Sequence, residues 1–188
     1  LKIFNSCKNI DLYHEKSSQY YHFMNFTDEG KYLLHIVENQ KLKKIFFKNI
    51  QKQKNIKIIN GEVIKIDVEK STISIKNKNL HYDLIVLCLG RQSNIVSQFV
   101  GKRFIEDDVK EISFTSLVKH NSNISDPKQY FLKEGPLAIL PVNKNMFSFV
   151  WSMNKDYRKQ KINSIKKLVH LKLKSILDSG TKMTLDDP

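Results

Sequence analysis

Residues 81–94, HYDLIVLCLGRQSN, run from a polar entry through six consecutive apolar residues, Leu84 to Leu89, into Gly90-Arg91-Gln92-Ser93. The pattern reads as a buried parallel strand that delivers its backbone to a glycine turn. At the carboxyl ends of such strands an α/β enzyme commonly sets a cofactor against its substrate. Taken alone, the turn is an ordinary strand-to-helix connection, with Ser93 capping the helix that follows. Other chemistries lack their residues. His14, His22, His35, His81, His120 and His170 show no metal-ligand spacing, and no serine or cysteine stands in a nucleophile-elbow setting. Metal hydrolysis and triad catalysis therefore have no support, and no metal site is expected. Cys7 and Cys88 are far apart, and Cys88 sits inside the apolar run. Neither suits a disulfide framework or a metal clip, so a reducing compartment is expected.

The elements that must position this turn alternate between strand and helix. Lys31–Val37 is extended and apolar, and Asn39 is placed as the cap of a helix whose Leu42, Ile45, Phe46 and Ile50 share one face. Asn55–Ile59 reads as a short buried strand. Glu62–Val68 and Thr72–Ile75 read as a meander turning at Lys70-Ser71 and again at Asn77-Lys78-Asn79. From Val109 the style changes to strands with polar turns: Lys110–His120, Lys128–Leu132, Pro136–Leu140 and Met146–Ser152. These predict an antiparallel sheet. Asp156 to Leu177 carries Ile162, Ile165, Val169, Leu173 and Ile176 at three- and four-residue steps, an amphipathic helix with lysines outward. The fold class expected is α/β plus antiparallel β, joined near residues 100–108. Phe147, Phe149 and Trp151 alternate on one strand face, a pattern that by itself means core packing.

With 188 residues, 40% of them hydrophobic and 27% charged, the chain can bury a sizeable core. Its formal net charge is +13, spread along the sequence and carried almost entirely by lysine; Arg91, Arg103 and Arg158 are the only arginines. Lysine lacks the planar fork that reads phosphates and base edges in pairs, which argues against specific nucleic-acid recognition and leaves a loose attraction to acidic lipids. No apolar segment has the length of a membrane span. A cytoplasmic location is expected, with a peripheral position at the inner membrane face, or in a biosynthetic complex, left open.

In combination these pieces are more specific. HIVENQKLKKIFFKNIQKQKNIKIINGEVIKID, YDLIVLCLGRQSNIV and EGPLAILPVNKNMFSFVWS, in this order and at these separations, resemble the middle of the flavin-dependent aromatic hydroxylases of ubiquinone biosynthesis. The wider family is that of the para-hydroxybenzoate-hydroxylase-like FAD monooxygenases. The resemblance covers nearly the whole chain, and its most specific parts are Val37-Glu38-Asn39 and Gly135–Pro141. It implies a partial FAD-binding Rossmann-like domain over residues 38–102, a substrate-binding antiparallel sheet with a covering helix over 103–188, and linking strands over 1–37. It further implies a central fragment of a longer enzyme, because the family's N-terminal Gly-rich loop and C-terminal Gly-Asp motif are absent.

The same resemblance implies that Asn39 approaches the ribityl chain of FAD and that Val63 passes the adenine through its backbone. Gly90 and Arg91 would then lie beside the pyrophosphate and the route of NAD(P)H. The reaction implied is hydroxylation of a polyprenyl phenol ring by O2, with NAD(P)H as reductant and the protein shielding and orienting the ring. Leu137, Ile139, Pro141, Phe149 and Trp151 are the candidate lining for that apolar substrate, although strand alternation lets only some of them face one pocket. No catalytic side chain is named. One departure stands out: the family usually has an aspartate before the glycine, where this chain has Leu89, which is expected to pack into the sheet interior. Two other readings stay open, a flavin reductase or dehydrogenase of the same fold, and a non-enzymatic basic module that docks on an acidic partner or membrane.

Overall fold

A computed structural model describes residues 3–76, 78–89, 93, 95, 110–159 and 162–185. The chain divides into two compact units, one formed by residues 1–47 and 109–188, the other by 48–108.

The first unit is built on a seven-stranded sheet. Its strands are β2 (Asn9–Lys16), β3 (Gln19–Thr27), β8 (Glu111–His120), β9 (Lys128–Leu132), β10 (Gly135–Asn143), β11 (Met146–Asn154) and β12 (Met183–Leu185). Their spatial order is β12-β8-β11-β10-β9-β2-β3. Every neighbouring pair is antiparallel except β2 with β9. The four strands expected from the alternation after Val109 are all present. Within residues 1–37, β2 and β3 extend the same sheet.

The expected covering helix is α2 (Ile162–Ile176), preceded by a 3-10 turn over Lys155–Lys159, so it starts later than the apolar spacing alone indicates. Its Ile165, Val169 and Leu173 pack on the sheet with Val118, Tyr130, Leu132, Leu137, Ile139, Phe147, Phe149, Trp151 and Met153 in one core. Each large apolar side chain buried there contributes about 1.5–3 kcal/mol. The EGP turn is explained by one contact. Gly135 has φ +132°, and a Cβ on it would lie 2.0 Å from the Ser152 carbonyl oxygen, so only glycine lets β10 start this close to β11. The Gly135 carbonyl in turn accepts the Trp151 indole N–H at 3.1 Å.

A second, two-stranded sheet pairs β1 (Phe4–Cys7) with β4 (Leu34–Val37). It is tied to the large sheet by the Asn5 amide, which donates to the Pro141 carbonyl at 2.7 Å. Helix α1 (Asn39–Gln51) follows β4 and runs across the boundary between the units. Its first turn corrects the expected cap. The Leu42 N–H reaches the Glu38 carbonyl at 3.1 Å, so Glu38 is the capping residue and Asn39 the first helical one. The Glu38 carboxylate also pairs with Lys41.

The second unit holds the expected meander, β5 (Val63–Asp67) and β6 (Thr72–Ile75), with β7 (Lys78–His81) where a turn was expected. Two expectations fail here. Ile56, Ile58 and Ile59 are exposed and form no strand, and Leu84–Leu89 forms none either. Leu89 is 40% exposed rather than packed. The physical reason is the same in both cases: a buried strand needs hydrogen-bonded neighbours, and no described strand pairs with either segment.

Candidate functional site

The five residues expected to line a substrate pocket are brought together in the packed interior. Leu137 pairs with Trp151 and Ile139 with Phe149, while Pro141 faces Phe147. Residues directly opposite on antiparallel strands share a sheet face, and this face is the one closed by α2. Leu137, Ile139, Pro141 and Trp151 are fully buried and Phe149 nearly so. They are therefore corrected from pocket lining to core. The alternation that nominated them identifies the opposite face equally well. Ala138 faces Val150 and Leu140 faces Ser148, all four half-buried on the side away from α2. Sequence pattern marked two faces and could not say which one a helix would cover.

Of the candidates for FAD, Gly90 and Arg91 lie outside the described residues. Asn39 is exposed at the start of α1, and its side-chain amide has no hydrogen-bond partner among the described residues. Because Glu38 supplies the cap, this amide is left with its full donor and acceptor capacity. Val63 opens β5, half-buried, at a register irregularity between Val63 and Lys65. Ser93 accepts the Ile95 N–H at 3.3 Å, the local pattern of a turn or capping serine.

Several titratable groups of the first unit are buried or largely so. Lys172 of α2 sits between Glu15 at 3.0 Å and Glu134 at 3.2 Å, all three largely buried. The Glu15 carboxylate also accepts the Lys133 backbone N–H at 2.9 Å, and that bond, with the pairing to Lys172, holds its pKa below the usual carboxylate range. Lys172 is held above the ordinary lysine value: burial pulls it down, and the bonds to Glu15 and Glu134 outweigh that. Burial pushes the Tyr130 phenol far up and the Cys7 thiol to about 11, with Asp126 adding to the effect at Cys7. These groups are held in unreactive forms, consistent with structural roles. His120 is buried against Phe147 with ring centroids 5.2 Å apart. Its Nδ1 meets the Ser122 hydroxyl at 3.2 Å, its Nε2 has no partner among the described residues, and burial lowers its pKa.

Open clefts are found among the described residues of this unit. One of about 370 Å³ is lined mostly by Asn5, Lys8, Asn9, Asn123, Asp126 and Lys144, and one of about 250 Å³ by His14, Lys16, Ser17 and Tyr21. Among the described residues no three of His, Cys, Asp and Glu come together as a metal would require. No described helix is long and apolar enough to cross a membrane.

No protein-family model and no curated protein matches the chain. Among solved structures it is similar to the crystal structure of CmlS, a flavin-dependent halogenase, with a TM-score of 0.63 and 10% sequence identity. The match covers 98% of this chain and 38% of that one. The likeness is one of fold. It agrees with the expected class, an α/β portion joined to an antiparallel sheet with a covering helix.

Proposed function

We propose that these residues are the central part of an FAD-dependent oxidative enzyme that hydroxylates an aromatic ring, with O2 as oxidant and NAD(P)H as reductant. The observation that carries the reading is the shared fold with a flavin-dependent halogenase over 98% of the chain. The finer assignment, to a polyprenyl phenol of ubiquinone biosynthesis, rests on the resemblance of the Val37-Glu38-Asn39 and Gly135–Pro141 segments.

Support for an FAD among the described residues comes from the start of α1. Asn39 offers an unpartnered amide at a helix start, suited to donate to one ribityl hydroxyl and accept from another. Val63 would contribute backbone groups at the adenine. When bound, the flavin supplies the redox chemistry; the chain supplies position and exclusion of water. On the sheet, the face suited to an apolar ring is that of Ala138, Leu140, Ser148 and Val150. The Ser148 hydroxyl on this face donates to the Ser116 carbonyl at 3.4 Å.

The test uses the natural protein that contains these residues. It is expected to copurify with FAD and to consume NAD(P)H faster with a prenylated phenol than without. Asn39→Ala is expected to weaken FAD binding about fivefold or more, the worth of one lost hydrogen bond with its partner left unsatisfied. Its melting temperature should stay unchanged, since Glu38 keeps the cap. FAD affinity equal to wild type in Asn39→Ala would remove Asn39 from the site, and absence of any flavin from the natural protein would remove the reading itself.

A further inference from the structure

We propose that the outward face of the β9-β2-β3 end of the sheet docks on an anionic phospholipid bilayer. This inference stands apart from the flavin reading and rests on how apolar and charged side chains are sorted between the two faces of three strands.

On the face away from α2, His14 stacks on Tyr21 with centroids 5.4 Å apart and meets Phe23 edge-on at 5.8 Å, and Phe23 leans on Phe131 at 5.9 Å. The register continues this face. Met24 lies opposite Leu12 and Phe26 opposite Ile10, beyond an irregularity at Leu12/Tyr13 that leaves Phe23 as the extra residue of β3. Tyr21, Phe23, Met24, Phe26 and Phe131 are between 43% and 50% exposed, a contiguous apolar surface at the sheet's edge strand. A patch of this kind marks an interaction site.

Charge selects the occupant. The acidic residues of these three strands are Asp11 and Glu15, and both point to the other face: Asp11 bonds His22 at 3.1 Å and Asn25 at 2.8 Å, and Glu15 bonds Lys172 of α2. The outward face thus keeps aromatic rings without carboxylates. Lys16 follows His14 on it by two residues, and Lys133, exposed, extends β9 two residues past Phe131. Asp28 and Glu29 lie past the end of β3, in the turn where Lys31 approaches Asp28 to 4.0 Å. Rings that insert at the headgroup level beside lysines that meet lipid phosphates are the chemistry of an anionic membrane surface. A second copy of this chain fits less well, because each carries a net charge of +13 and would bring the same lysines to the contact.

The experiment is cosedimentation of the natural full-length protein with vesicles of phosphatidylserine and phosphatidylcholine, against phosphatidylcholine alone, at low and high salt. Expected is binding to the anionic vesicles, reduced by salt and weak on the neutral ones. Phe23→Ser with Phe26→Ser should lower the partition about tenfold or more, and Lys16→Glu with Lys133→Glu about tenfold. Lys174→Glu, exposed on α2, should change it less than twofold. Melting curves check that each variant folds. Should the aromatic pair prevent folding, the lysine pair still decides, because it leaves the rings in place. Binding equal on neutral and anionic vesicles, indifference to the lysine pair, or a loss no larger than that of Lys174→Glu overturns the proposal. So does self-association in solution, read by light scattering, that the aromatic substitutions abolish.

Discussion

Strand β11 buries Phe147, Phe149, Trp151 and Met153 one after another, each separated by a partly exposed residue. The run from Leu84 to Leu89 is as apolar as any strand in the chain, yet Leu84 is 82% and Val86 74% exposed. Hydrophobicity is not what separates the two regions. In residues 109–188, β9, β10 and β11 follow one another through short turns and pair antiparallel, so these hairpins bring partners together at a low loop-closure cost. The stretch 84–89 has the continuous pattern of a strand flanked on both sides, and such neighbours come from distant parts of a polypeptide. Among the described residues of the second unit, Ile66 and Ile95 are the buried apolar side chains, while the first unit has a full core. Where short hairpins supply the neighbours, the apolar strands are buried; the run 84–89 has no paired strand among the described residues and stays exposed.

Substitutions can break or sharpen this contrast. The largest effect is expected at Gly135. Gly135→Ala forces a Cβ into the Ser152 carbonyl and should cost about 3 kcal/mol or more of stability in denaturant unfolding. A cost below about 1 kcal/mol would mean that β10 and β11 do not approach as closely in solution.

Next is Lys172→Met, which leaves Glu15 and Glu134 facing each other without their cation. The loss expected near neutral pH is about 2 kcal/mol, less than for a fully buried pair because the groups keep some solvent contact. The pH dependence has a definite sign. Glu15 has a depressed folded pKa, so its contribution is present above the ordinary carboxylate range and is lost as pH falls through the folded value. Acid unfolding of Lys172→Met should be shallower than that of wild type, though not absent, since the Lys133 N–H still holds Glu15.

A smaller effect belongs to His120, whose imidazole is kept neutral by burial. With a folded pKa below the usual 6.5, it favours the folded state fully above that pH, and stability should decline as pH falls below it. His120→Leu should remove that part of the pH dependence in thermal melts between about pH 7 and 5. The groups facing the ring are the Ser122 hydroxyl and Phe147, neither of which titrates there.

The smallest effect is expected in the open region. Leu89→Asp, on a side chain 40% exposed, should change the stability of this chain by no more than about 0.5 kcal/mol. A loss of several kcal/mol would show that the run is buried in solution and would erase the contrast with β11.

The candidate site divides along the same line. Asn39 was legible because a polar residue at a helix start is a local signal, readable to within one position; the cap proved to be Glu38 because a single backbone bond decides it. Leu137, Ile139, Pro141, Phe149 and Trp151 were legible as one face, and their burial under α2 was not. The aromatic surface of Tyr21, Phe23, Phe26 and Phe131 drew no attention in the sequence, since its members come from two strands a hundred residues apart.

By itself the sequence determined what depends on neighbours along the chain. Alternation specified strands β8 to β11, three- and four-residue spacing specified α2, and the polar turns specified hairpins, because side-chain direction follows backbone period. The tertiary structure decided what depends on partners far along the chain. It joined β2 to β9 in parallel, set α2 on one face of the sheet, and turned Asp11 and Glu15 toward that same face. An alternating strand presents two equivalent faces until something packs on one of them, and that packing partner is encoded elsewhere.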